Sequence, residues 1–314
     1  MANMIKVDSL TYCGKEGQDI FSQMIYDLPL PAGITKMDDV KGKQKVYTGD
    51  MGEVWQEYTC DFTPNGEVVL DEEFLEPERI KVNMEECYDK FDKIFLAEAK
   101  EISLNEGIPP TFSEWFFNRL KQRMAQQYQK IFWTADKTKG TGVYNIINGV
   151  ETILKNSQKA EVIQGSALTI SNIIATLESV VLKAMEKAAA GNIDTEDYGI
   201  VLNKADYDLL LVALGKDCSC NTTLSVFKNY AKDGDTVTVM GFKVYRAETT
   251  RGTIIVGPLR NMILGFDTED SQIEYKLINM RETTGENKFR IIALSNIAAA
   301  VAWQGTFAIH YNAA

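Results

Sequence analysis

A single histidine, His310, serves all 314 residues. That scarcity nearly excludes histidine-dependent triads and most zinc sites, which draw on imidazole as base or ligand. No nucleophile motif accompanies His310. Cysteine is sparse and odd in number: Cys13, Cys60, Cys87, Cys218 and Cys220. The spacings form no disulfide framework. Cys218-Ser-Cys220 could supply half of a closed metal site, but the remaining cysteines and His310 are scattered along the chain. These thiols read as ordinary, and no residue is nominated as catalytic, cofactor-binding or metal-ligating.

Positive charge is also short. Lys and Arg number 33 against 44 Asp and Glu, a net charge of −11. A protein that grips nucleic acid by its phosphates needs a local excess of Lys and Arg. The densest basic stretch is Asn118-Arg-Leu-Lys-Gln-Arg-Met124. It reads as a solvated helix face, since no aromatic ladder or further cluster extends it. Long apolar runs are absent too. The longest, Ile291 to Trp303, is interrupted by Ser295 and Asn296, and a spanning helix needs about 20 apolar residues. No membrane partner is expected. The opening Met-Ala-Asn-Met-Ile-Lys lacks the basic flank and apolar run of a secretion signal. Synthesis in a reducing cytoplasm is therefore the expectation. The Asn221-Thr-Thr223 sequon carries little weight in that setting.

What the chain does contain is patterned for folding. Hydrophobic residues make up 45% of it and charged residues 25%, a globular composition. Up to about Lys45 there is little periodicity, and the stretch reads as an arm that other parts must tie down. Glu53 to Phe62 and Glu67 to Leu70 are rich in strand formers and flank Thr63-Pro-Asn-Gly66. Asn-Gly between strand-like runs predicts a hairpin turn, because both residues tolerate positive φ. Acids crowd its base from Asp71 to Glu78 without the spacing of a calcium loop. They read as a solvated edge that discourages stray strand pairing. Trp55 and Tyr58 would ride on a projecting, charged hairpin.

Residues 81–106 place Met84, Cys87, Tyr88, Phe91, Ile94 and Phe95 at spacings of three and four, which predicts an amphipathic helix whose start could instead be a strand. After Pro109-Pro110, Thr111-Phe-Ser-Glu114 fits a capping box. Phe112, Phe116, Leu120, Met124, Tyr128 and Ile131 then predict a helix of about 22–25 residues, over 111–135. A second helix carries Ile173, Leu177, Val180, Val181, Ala184 and Ala188 on one face, with Thr169 or Ser171 as cap and Gly191 as stop. Tyr198-Gly-Ile-Val-Leu202 reads as a buried strand. Asn203 caps a following helix closed by Gly215. The remainder is β-rich: strands are expected at 236–239, 242–246, 253–256, 262–266, 273–277, 289–294 and 298–303. No proline falls between Pro110 and Pro258. The class is α+β.

This order of elements resembles the major capsid proteins of tailed bacteriophages, the Hong Kong 97 (Johnson) fold. Local patches are similar too: Met124-Ala-Gln-Gln-Tyr-Gln-Lys-Ile-Phe132 with Thr141-Gly-Val-Tyr144, Tyr198 to Leu214, Met240-Gly-Phe-Lys-Val-Tyr245 and Glu286 to Ala293. The resemblance implies an N-terminal arm over 1–45 and an extended hairpin loop over 46–80. A peripheral domain would span 81–160 and 266–314, with its spine helix at about 111–135, and an axial domain 161–265. It implies self-assembly, as pentamers and hexamers, into an icosahedral head around double-stranded DNA. An encapsulin-type nanocompartment enclosing a cargo enzyme is the alternative. Inter-subunit contacts would fall on Trp55, Tyr58, Asn65 and Gly66. Portal and other head proteins, and packaged DNA bound only non-specifically, would be further partners. The location would be the virion. No cofactor and no enzymatic activity are implied.

Overall fold

The computed structural model describes residues 10–12, 24–25, 27–51, 55–58, 60, 64, 68–90, 94–98, 112–139, 142–191, 193–217, 237–267 and 275–312. Two six-stranded sheets and a separate two-stranded ribbon hold its β-structure.

The first sheet is organised around one long strand. Lys288–Val301 (β13) pairs antiparallel with Glu78–Cys87 (β5) over ten residues, from Lys288↔Cys87 to Ile297↔Glu78. Its other edge is shared by Tyr275–Asn279 (β12) and Met262–Gly265 (β11). Leu10–Tyr12 (β1) adds to β12, and Thr35–Met37 (β2) runs parallel to β11. One open sequence alternative is decided here and one expectation is corrected. The segment from 81 begins as a strand, because Ile80, Val82 and Met84 alternate with exposed residues at a period of two. The pair of strands expected at 289–294 and 298–303 is one. Ser295 and Asn296 stay in the ladder opposite Ile80 and Arg79, and both are buried.

Helix Phe112–Thr134 (α1), 23 residues long, packs across this sheet, and its length and span agree with the expectation. Its cap, Thr111, lies outside the described residues. Trp115, Phe116, Tyr128, Ile131 and Phe132 are buried on its inner face. Phe116 meets Phe289 edge to face with ring centroids 5.0 Å apart. The Tyr128 hydroxyl donates to the Asn296 carbonyl at 2.7 Å, so the helix is tied to β13 by a polar bond as well as by packing. Each such side chain, fully buried, contributes about 1.5–3 kcal/mol.

Between α1 and the second sheet lies a short helix, Val150–Lys155 (α2). The second sheet runs Glu161–Gly165 (β6), Ala308–Asn312 (β14), Ile254–Pro258 (β10), Tyr198–Asn203 (β7), Phe242–Ala247 (β9) and Val237–Val239 (β8). Helices Ile173–Ala190 (α3) and Lys204–Asp217 (α4) cover one face. The other face meets the α1 core: Ile254, Val256 and Ala308 point to the α3 side, while Ile255, Phe307 and Ile309 join the α1 side. Burial on both faces explains the unbroken apolar run Tyr198–Leu202, as expected from the sequence. α3 starts after Asn172 rather than a Thr169 or Ser171 cap. The Asn172 side-chain oxygen accepts from the Thr169 N–H at 2.7 Å. Asn203 caps α4 as expected, its side-chain oxygen accepting from the Ala205 N–H at 3.0 Å. That helix continues through Gly215. At the β8–β9 turn, Met240 (φ 50°) and Gly241 (φ 88°) are both left-handed, the geometry of a two-residue hairpin connection between Val239 and Phe242.

Candidate assembly surface

The ribbon is formed by Gln44–Met51 (β3) and Val68–Leu75 (β4), paired from Gln44↔Leu75 to Met51↔Val68. This register corrects the expected hairpin strands. The paired segments lie closer to the base than 53–62, and sixteen residues, 52–67, connect Met51 to Val68. Residues 55–58 carry no strand assignment. Asn65 and Gly66 lie outside the described residues, and the ladder does not close on them as a two-residue turn.

The two ribbon faces differ. Gln44, Val46, Thr48, Glu73 and Leu75 face the body. Leu75 is fully buried with Val40, Ile263 and Ala298, and Val46 packs against that cluster. Gln304 donates to the Glu73 carboxylate at 3.0 Å. Lys45, Tyr47, Leu70, Glu72 and Phe74 make up the outer face. Tyr47 is 59% exposed and Leu70 66%. Lys45 bridges to Glu72 at 2.7 Å, and Lys43 to Glu76 at 2.5 Å while lying 3.9 Å over the Phe74 ring. The Lys43 ammonium lowers the Glu76 carboxyl below its ordinary range, and Glu72 raises Lys45. Exposed pairs of this kind add little stability, but they order the ribbon and neutralise much of the acidic run read from the sequence. Beyond the strands, Trp55 and Tyr58 are 92% and 87% exposed. The outer apolar face of Tyr47, Leu70 and Phe74 was missed by sequence reasoning. The period-two alternation of 44–51 and 68–75 is the signal that reveals it.

A buried set of titratable groups lies elsewhere and is architectural. The loop 249–252 is clamped from four elements. Glu151 accepts from the Thr250 N–H and pairs with Lys155. Asp206 accepts from the Gly252 N–H at 2.6 Å, and Asn203 donates to the Thr249 carbonyl. The His310 Nδ1–H donates to the Gly252 carbonyl at 3.1 Å. A carbonyl only accepts, which fixes that tautomer. Burial pushes the His310 pKa down. A Cβ at Gly165 would come within 2.1 Å of His310 Nε2, so glycine there makes room for the ring. Glu151, Asn203, Asp206 and His310 are each engaged by the loop backbone, while Asp206 Oδ1 and the Thr249 hydroxyl are buried without a hydrogen bond among the described residues. Cys218, Cys220 and Asn221 lie outside the described residues. Among the described residues no helix is long and apolar enough to cross a membrane.

No family model matches the sequence, and no curated protein does either. The fold, however, has solved counterparts. The chain is similar to a subunit of the satellite phage P4 procapsid with its size determination protein (TM-score 0.58, 13% identity, 94% of this chain and 98% of that one). It is also similar to the capsid of Myoviridae phage XM1 (TM-score 0.55, 9% identity, 99% and 96%) and to a Gordonia phage Cozz structure (TM-score 0.54, 11% identity, 100% and 91%). Identity this low, with coverage this complete, speaks to fold. The chain has the tailed-phage capsid fold, the Hong Kong 97 type.

Proposed function

We propose that this chain is a major capsid subunit that self-assembles into an icosahedral phage head enclosing double-stranded DNA. The observation that carries the reading is the β3–β4 ribbon. It displays Tyr47, Leu70 and Phe74 outward and leads to the exposed Trp55 and Tyr58, on a body whose fold is that of phage capsid subunits. A ribbon face whose Tyr47, Leu70 and Phe74 stay exposed among the described residues is suited to packing on another copy. The capsid counterparts favour a phage head over a cargo-filled nanocompartment. The arm (1–45), extended loop (46–80), peripheral unit (81–160 and 266–314) and axial unit (161–265) belong to this proposal. So do inter-subunit contacts at Trp55, Tyr58, Asn65 and Gly66. Portal and other head proteins would complete the virion, following synthesis in the host cytoplasm. No reaction is assigned.

Electron microscopy of the purified protein tests the reading. Shells, or free pentamers and hexamers, are the expected species. A protein that stays monomeric across salt, pH and crowding conditions would overturn it.

A further inference from the structure

The outer face of α1 departs from the rest of this acidic chain. From Trp115 to Ala135 it carries Arg119, Lys121, Arg123 and Lys130 and no acid, while the whole protein bears −11. Asn118, Arg119, Gln122, Arg123, Gln126 and Lys130 are all exposed. Arg119, Arg123, Gln126 and Lys130 recur at spacings of four, three and four, which sets them in one stripe about 17 Å long. Arg119 is paired with Glu98. Arg123 donates to the Gln126 side chain, and Lys130 lies over the Tyr144 ring. Among the described residues, Lys121, Arg123 and Lys130 have no carboxylate partner. A groove of about 380 Å³ beside the stripe is lined by Lys121, Gln122, Gln126 and Lys204, with Asp27 as its one acid.

We infer that this face of α1 contacts the phosphate backbone of double-stranded DNA, without reading sequence. Charge complementarity is the first reason: an acid-free cationic stripe persists on a polyanionic protein. The second is composition. Asn and Gln amides and Arg and Lys heads all donate to phosphate oxygens. The exposed stripe offers no large apolar side chain to form the dry centre that a protein partner needs. The contact is weak, because only three or so cations take part and the remaining surface repels. The inference rests on the proposed head, in which the subunit encloses DNA, but it stands or falls on its own measurement.

That measurement is fluorescence anisotropy of a labelled 20-base-pair duplex against the purified full chain, from 10 to 150 mM salt. Each phosphate contact adds close to one unit to the slope of log affinity against log salt. The triple variant Lys121→Gln, Arg123→Gln, Lys130→Gln should lower that slope by about three. A control triple, Lys90→Gln, Lys139→Gln, Lys183→Gln, removes equal charge from exposed sites on other elements and should leave the slope unchanged. Circular dichroism melts show that both triples fold. No binding by the unaltered chain, an unchanged slope in the first triple, or equal loss in both would overturn the inference. So would a first triple that binds DNA normally yet fails to assemble, for the stripe would then face an acidic protein segment. If the unaltered chain forms no shells but shows the expected slopes, the head reading fails and the DNA contact stands.

Discussion

At the scale of single residues, His310 looks like the one candidate for chemistry and turns out to be a brace. It is 2% exposed, donates to Gly252 and fills the space that Gly165 leaves open. Its depressed pKa has a consequence for stability. The unfolded chain takes up a proton on His310 near pH 6.5, while the buried ring resists it. The unfolded state therefore binds more protons below that pH, and folding stability falls as pH drops from 6.5 toward the folded value. For one proton the slope is at most about 1.4 kcal/mol per pH unit. Urea unfolding between pH 7.5 and 5 should show a steeper loss for the unaltered protein than for His310→Gln, whose amide still offers a donor to Gly252. Parallel curves would show that His310 is not the group responsible. None of this clamp was legible in the sequence. Glu151 and Asp206 are buried only because a loop 99 and 46 residues away turns back onto them, and no local spacing encodes that.

At the scale of elements, the ribbon allows a cleaner cut than removal of 46–80. Leu75 is core and Glu78 opens β5, so the larger deletion would damage the body itself. Replacing 52–67 by Asn-Gly between Met51 and Val68, a registered pair, keeps the ladder and the Leu75 anchor while deleting Trp55 and Tyr58. The shortened chain should melt within a few degrees of the parent, since exposed residues away from packing change stability by about 0.5 kcal/mol or less. It should fail to form shells in sedimentation velocity. Normal shells from it would show that the tip is dispensable and that contact lies on Tyr47, Leu70 and Phe74. α1 and α3 were legible because an apolar stripe of period 3.6 leaves little ambiguity. β5 was not. Met84, Cys87 and Tyr88 fall by chance at helical spacing, and what decides the matter is ten residues of pairing with β13, more than 200 positions away in sequence. The hairpin was visible as a fact and misplaced as a register: aromatic strand formers occupy 53–62, but the ladder is fixed at the base, where Leu75 and Val46 reach the core.

At the scale of the whole molecule, the α+β class and the order of elements could be read before any coordinates, because each long element announces itself locally. How the two sheets share strands could not. Ile309 and Ala308 serve different cores from adjacent positions of β14, which only the assembled layers reveal. That strand has one more implication. β14 sits inside the second sheet, between β6 and β10, although it is the last described element to be synthesised. Until 308–312 emerge from the ribosome, both of those strands present raw edges able to pair with any passing chain. The second sheet thus closes only after β14 has been made, and a chain cut short before it would be drawn toward aggregation.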